Sequence, residues 1–216
     1  MLKKKVAIID YGVGNLLSIK RAFEKIDSEV VVTSKFNEIL NSSYVVLPGV
    51  GAFGKAMQSI KKYELFETIQ SVAKKGKPLL GICLGAQLLL SESEEFETNY
   101  GLDIIKGKVV SINKYIKDSK KLKIPHIGWC EIEENRNESL NDNVFFKCID
   151  KKDTFYFVHS FMCEPNDTKN ILYKVNHDGI NLTAMVGIGN VYGCQFHPEK
   201  SGESGLKLLS NFLKLK

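Results

Sequence analysis

KPLLGICLGAQLLL, residues 77–90, runs from an apolar strand signal through one cysteine into a helical signal. Gly81 and Gly85 stand two residues to either side of Cys83. A cysteine that only packs needs no glycine at either place. A tight strand-to-helix turn crowds both places and requires them small. This junction is one of a series of alternating strand and helix signals in the first half, and that alternation predicts a parallel sheet covered by helices on both faces.

The flanking sequence agrees. VAIID (6–10) reads as a strand ending at a Gly-containing turn, and LLSIKRAFEKI (16–26) has helical spacing at Leu16, Ile19, Ala22, Phe23 and Ile26. EVVVTS (29–34) reads as a strand, YVVLPGVG (44–51) as a strand entering a Gly-Pro loop, and MQSIKKYELFETIQSVAKKG (57–76) as mostly helical, stopped by Gly76 and Pro78. The second half differs. KGKVVSI (106–112), DTFYFVHSFM (153–162), ILYKVN (171–176), NLTAMVGI (181–188) and NVYGCQFH (190–197) read as strands. HDG (177–179) and GN (189–190) are hairpin signals, so part of this half is expected to be antiparallel. SGLKLLSNFLKL (204–215) reads as a closing amphipathic helix. The polar segment 133–150 reads as a surface connection with room for a short helix near Val144–Phe146.

The 216 residues suit one α/β domain, 1–216. The charge of +5 is mild, and the lysine runs at 3–5 and 114–123 lack interleaved aromatics, so nucleic-acid binding is not indicated. The five cysteines (Cys83, Cys130, Cys148, Cys163 and Cys194) are odd in number, and no CxxC pair or leader-like apolar segment is present. That pattern predicts free thiols and a cytoplasmic location. No apolar run is long enough to span a membrane.

Gly81-x-Cys83-x-Gly85 has the form of a nucleophile elbow with cysteine in place of serine. A helix beginning at Leu84 would aim its N-terminus at the sulfur and favour the thiolate, and the Leu84 N–H could serve an oxyanion hole. Taken alone, Cys83 reads equally well as a buried structural thiol. A base is available in QFHPEKSG (195–202). Pro198 biases His197 to extended backbone, so His197 and Glu199 are expected side by side on one face, giving a Cys–His–Glu triad. Cys194-x-x-His197 is half of a metal site with no second half, so no metal is expected. His177 is expected to face solvent; spacing does not place His126 or His159. PGVGAF (48–53) reads either as a plain turn or as the second half of an oxyanion hole. DYGVGN (10–15) fails the dinucleotide pattern because Leu17 occupies the third glycine position, so no cofactor is expected. ESEEFE (92–97) reads as an exposed acidic loop near a helix end, or as the binder of a substrate ammonium.

DYGVGN, LPGVGAF, GICLGAQLL, PHIGW, YFVHS and QFHPEKSG, in this order, resemble the class I (triad) glutamine amidotransferases. Within them they are similar to the glutaminase subunits of imidazole glycerol phosphate synthase. The resemblance runs from residue 10 to 202. It implies a flavodoxin-like, mainly parallel sheet flanked by helices, with the antiparallel extension in the second half. It implies that Cys83 attacks glutamine, His197 is the acid and base, and Glu199 orients it. Leu84 and the Val50–Gly51 peptide would bind the oxyanion, the peptide reorienting with partner and substrate. Gln87, Glu95, His159, Ser160 and Phe161 would hold glutamine, Glu95 facing its α-ammonium. Asn15, Trp129, Tyr156 and Lys200 would lie at the interface with a (β/α)₈ cyclase subunit, making a heterodimer. The chain departs from the usual pattern at Ala86, Ile127, Cys130 and Phe161, and the triad is intact. The motifs do not separate this role from that of a paralogue feeding a sugar-modifying (amidination) synthase of surface glycans. An inactive regulatory subunit is disfavoured by the intact triad. A lone cysteine hydrolase is disfavoured by PHIGW, YFVHS and the HPEKSG extension.

Overall fold

Val6 and Ile8 alternate with Ala7 and Ile9, and all four are fully buried. A strand apolar on both faces must have cover on both faces. The computed structural model, which describes residues 3–116, 123–135, 143–147 and 149–216, shows that arrangement. The first half runs β1 (Lys5–Ile9), α1 (Leu16–Lys25), β2 (Glu29–Thr33), α2 (Phe36–Asn41), β3 (Tyr44–Leu47), α3 (Phe53–Lys62), α4 (Phe66–Lys74), β4 (Leu79–Ile82) and α5 (Leu84–Leu88). The remainder runs β5 (Leu90–Ser93), β6 (Asn99–Tyr100), β7 (Ile105–Ser111), β8 (His126–Glu131), β9 (Glu133–Glu134), β10 (Thr154–His159), β11 (Phe161–Pro165), β12 (Ile171–His177), β13 (Ile180–Ile188), β14 (Val191–Cys194) and α6 (Gly202–Phe212).

The main sheet has the order β2-β1-β3-β4-β14-β13-β12-β9. Its first five strands are parallel, and β13, β12 and β9 extend it antiparallel. The parallel part has the flavodoxin order. Val6 and Ile8 join the core formed with α1 and α6, where Phe212 meets Phe23, Tyr44 and Phe145 edge-on. Ala7 and Ile9 join the opposite core, with Ile60 of α3 and Ile69 and Val72 of α4. A second sheet has the order β11-β7-β5-β6, and β10 pairs with β8 as a two-stranded antiparallel ribbon. No helix among the described residues is long and apolar enough to cross a membrane.

The stretch 57–76 is mostly helical as expected, divided between α3 and α4 where Glu64 takes φ 56° and Leu65 is buried. Three expectations need correction. The helix after Cys83 lasts five residues, because Leu90–Ser93 turns into a strand beside β7. An apolar run of leucines suits a buried helix or a buried strand equally. DTFYFVHSFM is two strands in two sheets: His159 pairs with His126, whereas Phe161 pairs with Ser111. Segment 133–150 is not purely a surface connection, since Glu133–Glu134 pairs with β12 and Phe145 and Phe146 are buried. Residues 136–142 and Cys148 of that segment, and 117–122 of the second lysine run, lie outside the described residues.

The glycines beside Cys83 have a measurable reason. A Cβ on Gly85 would come within 1.9 Å of the Leu47 carbonyl oxygen, and one on Gly81 within 2.6 Å of the Gly85 oxygen. Both obstacles are backbone and cannot rotate away. Gly85→Ala is therefore expected to cost about 3 kcal/mol or more, against about 1–2 kcal/mol for Gly76→Ala. Gly76 has positive φ but no atom within 4 Å of its Cβ position. Urea unfolding of the two variants checks the difference.

Candidate active site

β4 ends at Ile82, and Cys83 follows with φ 54° and ψ −112°, outside the ordinary regions for a side-chain-bearing residue. The Cys83 N–H donates to Cys194 O at 2.8 Å, tying the elbow to the end of β14. α5 is little more than one turn long, so a summed helix dipole adds little here. The sulfur's charge partner is instead His197, just beyond the end of β14.

His197 Nδ1 lies 2.8 Å from Glu199 Oε1, and both side chains are almost wholly buried. The contact was expected, but its backbone route differs. Pro198–Lys200 forms a 3₁₀ turn, and this turn brings the carboxylate under the ring where continuous extended chain was expected. The His197 N–H donates to Tyr156 O at 2.9 Å, and Ser201 Oγ donates to His197 O at 2.6 Å, so the turn is fastened to β10. Burial works to lower the His197 pKa. Hydrogen bonds with Cys83 and Glu199, and the charges of both, outweigh burial and raise it to about 9. The imidazole therefore stays protonated at neutral pH. Glu199 Oε2 is buried with no hydrogen-bond partner among the described residues, which leaves His197 as the carboxylate's hydrogen-bonded neighbour.

Cys83 and His197 line a cleft of about 490 Å³ together with Val50, Gly51, Leu84, Gln87, Glu95, His159, Ser160 and Phe161. Every residue expected to hold glutamine or its oxyanion is thus in one place, and Glu199 stands behind His197. The acidic loop is placed differently from the expectation. It follows β5, and Glu95 Oε2 accepts the Phe53 N–H at 2.6 Å, at the favourable N-terminal end of α3. DYGVGN also has a structural role, because Tyr11 Oη donates to Pro48 O at 2.6 Å and so holds the PGVGAF loop. Burial, and then the nearness of Cys83, push the Tyr11 hydroxyl pKa up, so it stays a donor.

Several polar contacts in the site carried no signal in the sequence. Gln195, 2% exposed, places Nε2 at 3.8 Å from Cys83 Sγ. His126 Nδ1 lies 2.9 Å from His159 Nε2, His126 Nε2 lies 3.4 Å from Cys130 Sγ, and His159 Nδ1 lies 2.8 Å from Phe161 O. A carbonyl only accepts, so His159 carries its proton on Nδ1, His126 donates from Nδ1, and the Cys130 thiol donates to His126 Nε2. His177 is half-buried, not solvent-facing, and its ring lies 4.2 Å from that of His126. Cys194 does not join His197, since its Sγ is directed to Gly81 O at 3.6 Å. No group of three or more His, Cys, Asp or Glu among the described residues is placed to hold a metal.

Beside the cleft, Trp129 and Tyr156 pair across the β8–β10 ribbon with ring centroids 5.8 Å apart. Lys200 Nζ lies 5.9 Å from the Tyr156 ring centre. Trp129 and Ile127 are each 55% exposed, leaving an apolar strip on this face. Asn15 occupies the N-cap position of α1, which packs against the Pro198–Lys200 turn.

A family model described as glutamine amidotransferase class-I matches residues 7–215. The chain is 45% identical over 210 residues to imidazole glycerol phosphate synthase subunit HisH 1 of Legionella pneumophila (strain Paris), covering 97% of this chain and 99% of that one. It is 44% identical over 207 residues to imidazole glycerol phosphate synthase subunit HisH of Caldanaerobacter subterraneus, covering 96% of each. The structure of PurLQS from Thermotoga maritima matches with a TM-score of 0.73 at 22% identity over 99% of both chains, a likeness of fold. A glutamine amidotransferase from the same organism matches with a TM-score of 0.65 at 19% identity, over 99% of this chain and 98% of that one.

The histidines predict how stability follows pH. Burial, with the neighbouring His177, lowers the His126 pKa to about 4. Burial, with the nearby histidines, lowers that of His159 to about 3. Unfolded histidine titrates near 6.5, so between about pH 6.5 and 4 the unfolded chain takes up protons that the native chain refuses. Stability is then lost on acidification, by up to about 1.4 kcal/mol per pH unit for each histidine. His197 acts in the opposite sense: its contribution is complete below about 6.5 and is lost as pH rises through about 9. Urea midpoints are expected to fall below pH 6.5, with a shallower slope in His126→Gln.

Proposed function

The chain belongs to the class I glutamine amidotransferases, and we propose that Cys83, His197 and Glu199 form its glutamine-hydrolysing triad. The observation that carries the assignment is the hydrogen-bonded placement of His197 between Cys83 and Glu199, with Cys83 on a strained elbow in the cleft.

The Cys83 thiolate attacks the side-chain carboxamide carbon of glutamine. Negative charge gathers on the carbonyl oxygen, where the Leu84 N–H and the Val50–Gly51 peptide receive it; each such donor is typically worth about 10²–10³ in rate. His197 gives its proton to the departing nitrogen, the C–N bond breaks, and ammonia leaves a thioester on Cys83. His197 then takes a proton from water, which attacks the thioester and releases glutamate and the free thiolate. Glu199 holds the imidazole in the tautomer with Nδ1–H on the carboxylate and Nε2 toward the sulfur. Glu95 Oε1 meets the substrate ammonium while Oε2 stays on the Phe53 N–H. Gln87, His159, Ser160 and Phe161 complete the glutamine site.

The chain acts in the cytoplasm as the amidotransferase subunit of imidazole glycerol phosphate synthase, in histidine biosynthesis. Its relatives' shared subunit name, over nearly full length, supports this role and favours it over a glycan-modifying synthase. Ammonia released into water at neutral pH becomes mostly ammonium, which is not a nucleophile. The product must therefore pass directly to a synthase. The partner is a cyclase subunit with a (β/α)₈ barrel, docked on the face of Asn15, Trp129, Tyr156 and Lys200. There ammonia is consumed to make imidazole glycerol phosphate and the aminoimidazole carboxamide ribotide.

Glutamate release by the purified chain, with and without the cyclase subunit and its nucleotide substrate, tests the reading. A large rise in turnover with both is expected; turnover unchanged by the partner would remove the synthase assignment. Cys83→Ala is expected to abolish hydrolysis in a folded chain, and Glu199→Gln to lower kcat by about 10²–10⁴.

A further inference from the structure

Two buried primary amides stand beside the nucleophile, and the triad chemistry uses neither of them to act on the sulfur. Gln195 is 2% exposed and Gln87 is 6% exposed. Gln87 Nε2 donates to Phe161 O at 3.1 Å and to Gln195 Oε1 at 2.9 Å. Gln195 Nε2 then faces Cys83 Sγ at 3.8 Å.

The orientation of both amides follows from the one group in this series whose role is unambiguous. The Phe161 carbonyl can only accept, so the Gln87 amide must turn its NH₂ toward it. That NH₂ also meets Gln195, so Gln195 must present its oxygen there. The Gln195 NH₂ is left facing the sulfur. A flipped Gln195 would set two NH₂ groups against each other and an amide oxygen against a thiolate. The backbone holds the residue in place, with the Gln195 N–H donating to Ala184 O at 2.9 Å.

We propose that Gln195 is a catalytic residue, a second hydrogen-bond donor to the Cys83 sulfur, and that Gln87 is the positioning residue that aims it. This rests on the triad reading above. A thiolate accepts an N–H far better than a neutral thiol does, so the donor favours the charged sulfur over the protonated one. The same donor serves twice in the cycle. It holds the thiolate in line for attack before the C–S bond forms. It receives the thiolate again when water has added to the thioester and the C–S bond breaks. His197 cannot hold the sulfur through that whole cycle, because it gives its proton to ammonia and is neutral in the thioester. Gln195 carries no titrating proton and keeps its donor throughout.

The test is alkylation of the whole chain by iodoacetamide, read at the Cys83 peptide by mass spectrometry, as rate against pH. Wild type, Gln195→Met and His197→Asn are compared, with thermal melting recorded for each. Methionine keeps the length of the side chain and removes the donor. The expected result is about a tenfold slower reaction of Cys83 at pH 7 in Gln195→Met, with the pH profile moved up by about one unit and the wild-type rate regained at high pH. A lower melting temperature with an unchanged profile would make Gln195 structural only and overturn the proposal. Should Gln195→Met fail to fold, Gln87→Met leaves Gln195 in place but frees its amide to turn. A smaller shift of the same sign, about threefold, is expected, and no shift overturns the proposal. A profile that His197→Asn does not alter would mean that the triad reading itself has failed, and this proposal with it. A profile sensitive to His197→Asn but not to Gln195→Met rejects the role of Gln195 alone.

Discussion

The backbone of Cys83 is held where a side-chain-bearing residue costs of the order of 1–3 kcal/mol, and the rest of the site depends on that strain being kept. Its surroundings leave no relaxed alternative. β4 lies between β3 and β14 in the middle of the sheet, and the Cys83 N–H is bonded to Cys194 O. Gly81 and Gly85 are in backbone contact with the elbow, and a Cβ on Gly49 would meet Gly85 N at 2.6 Å. Three neighbouring positions have thus given up side chains so that one residue can be turned out of the sheet. His197 arrives by the same logic: β14 is the parallel neighbour of β4, so the chain leaving it passes beside the sulfur.

Much of this was legible in the sequence because steric demands leave signatures. A glycine spaced two residues from a cysteine on each side reports crowding. A proline after a histidine reports fixed backbone. Two hairpin signals reported the antiparallel extension through β12, β13 and β14. What was not legible falls into two kinds. One is length: the runs at Leu88–Leu90 and Val158–Met162 have no period to show where a helix stops or a strand changes sheet. The other is the private geometry of polar groups. Gln195 reads as one more residue in a strand, and His126 and Cys130 as members of another. Only folding brings His126 onto His159 and Gln195 onto Cys83.

These hidden contacts converge. The Phe161 carbonyl accepts from His159 on one side and from Gln87 on the other. One branch leads through Gln195 to the sulfur; the other leads through His126 to Cys130 on β8, beside Trp129. A single acceptor therefore orders the donors and acceptors of both branches. Neutral histidines suit this arrangement. A protonated His159 would have no lone pair for His126, and burial keeps it unprotonated. The site thereby holds one charged histidine beside Cys83 and two uncharged ones, His126 and His159, the difference set by which neighbours each ring meets.

The PGVGAF loop is anchored at both ends. Tyr11 grips the Pro48 carbonyl, and Glu95 grips the Phe53 N–H. Between them Val50 is exposed, and Gly51 has φ 91° with no atom within 4 Å of its Cβ position. A chain pinned at two points a few residues apart cannot swing like a lid. It can only turn like a crankshaft, one dihedral compensating the next, with both ends still. A change of state in this loop then rotates a peptide without disturbing the sheet or emptying the cleft, and its cost is confined to the few residues between the anchors.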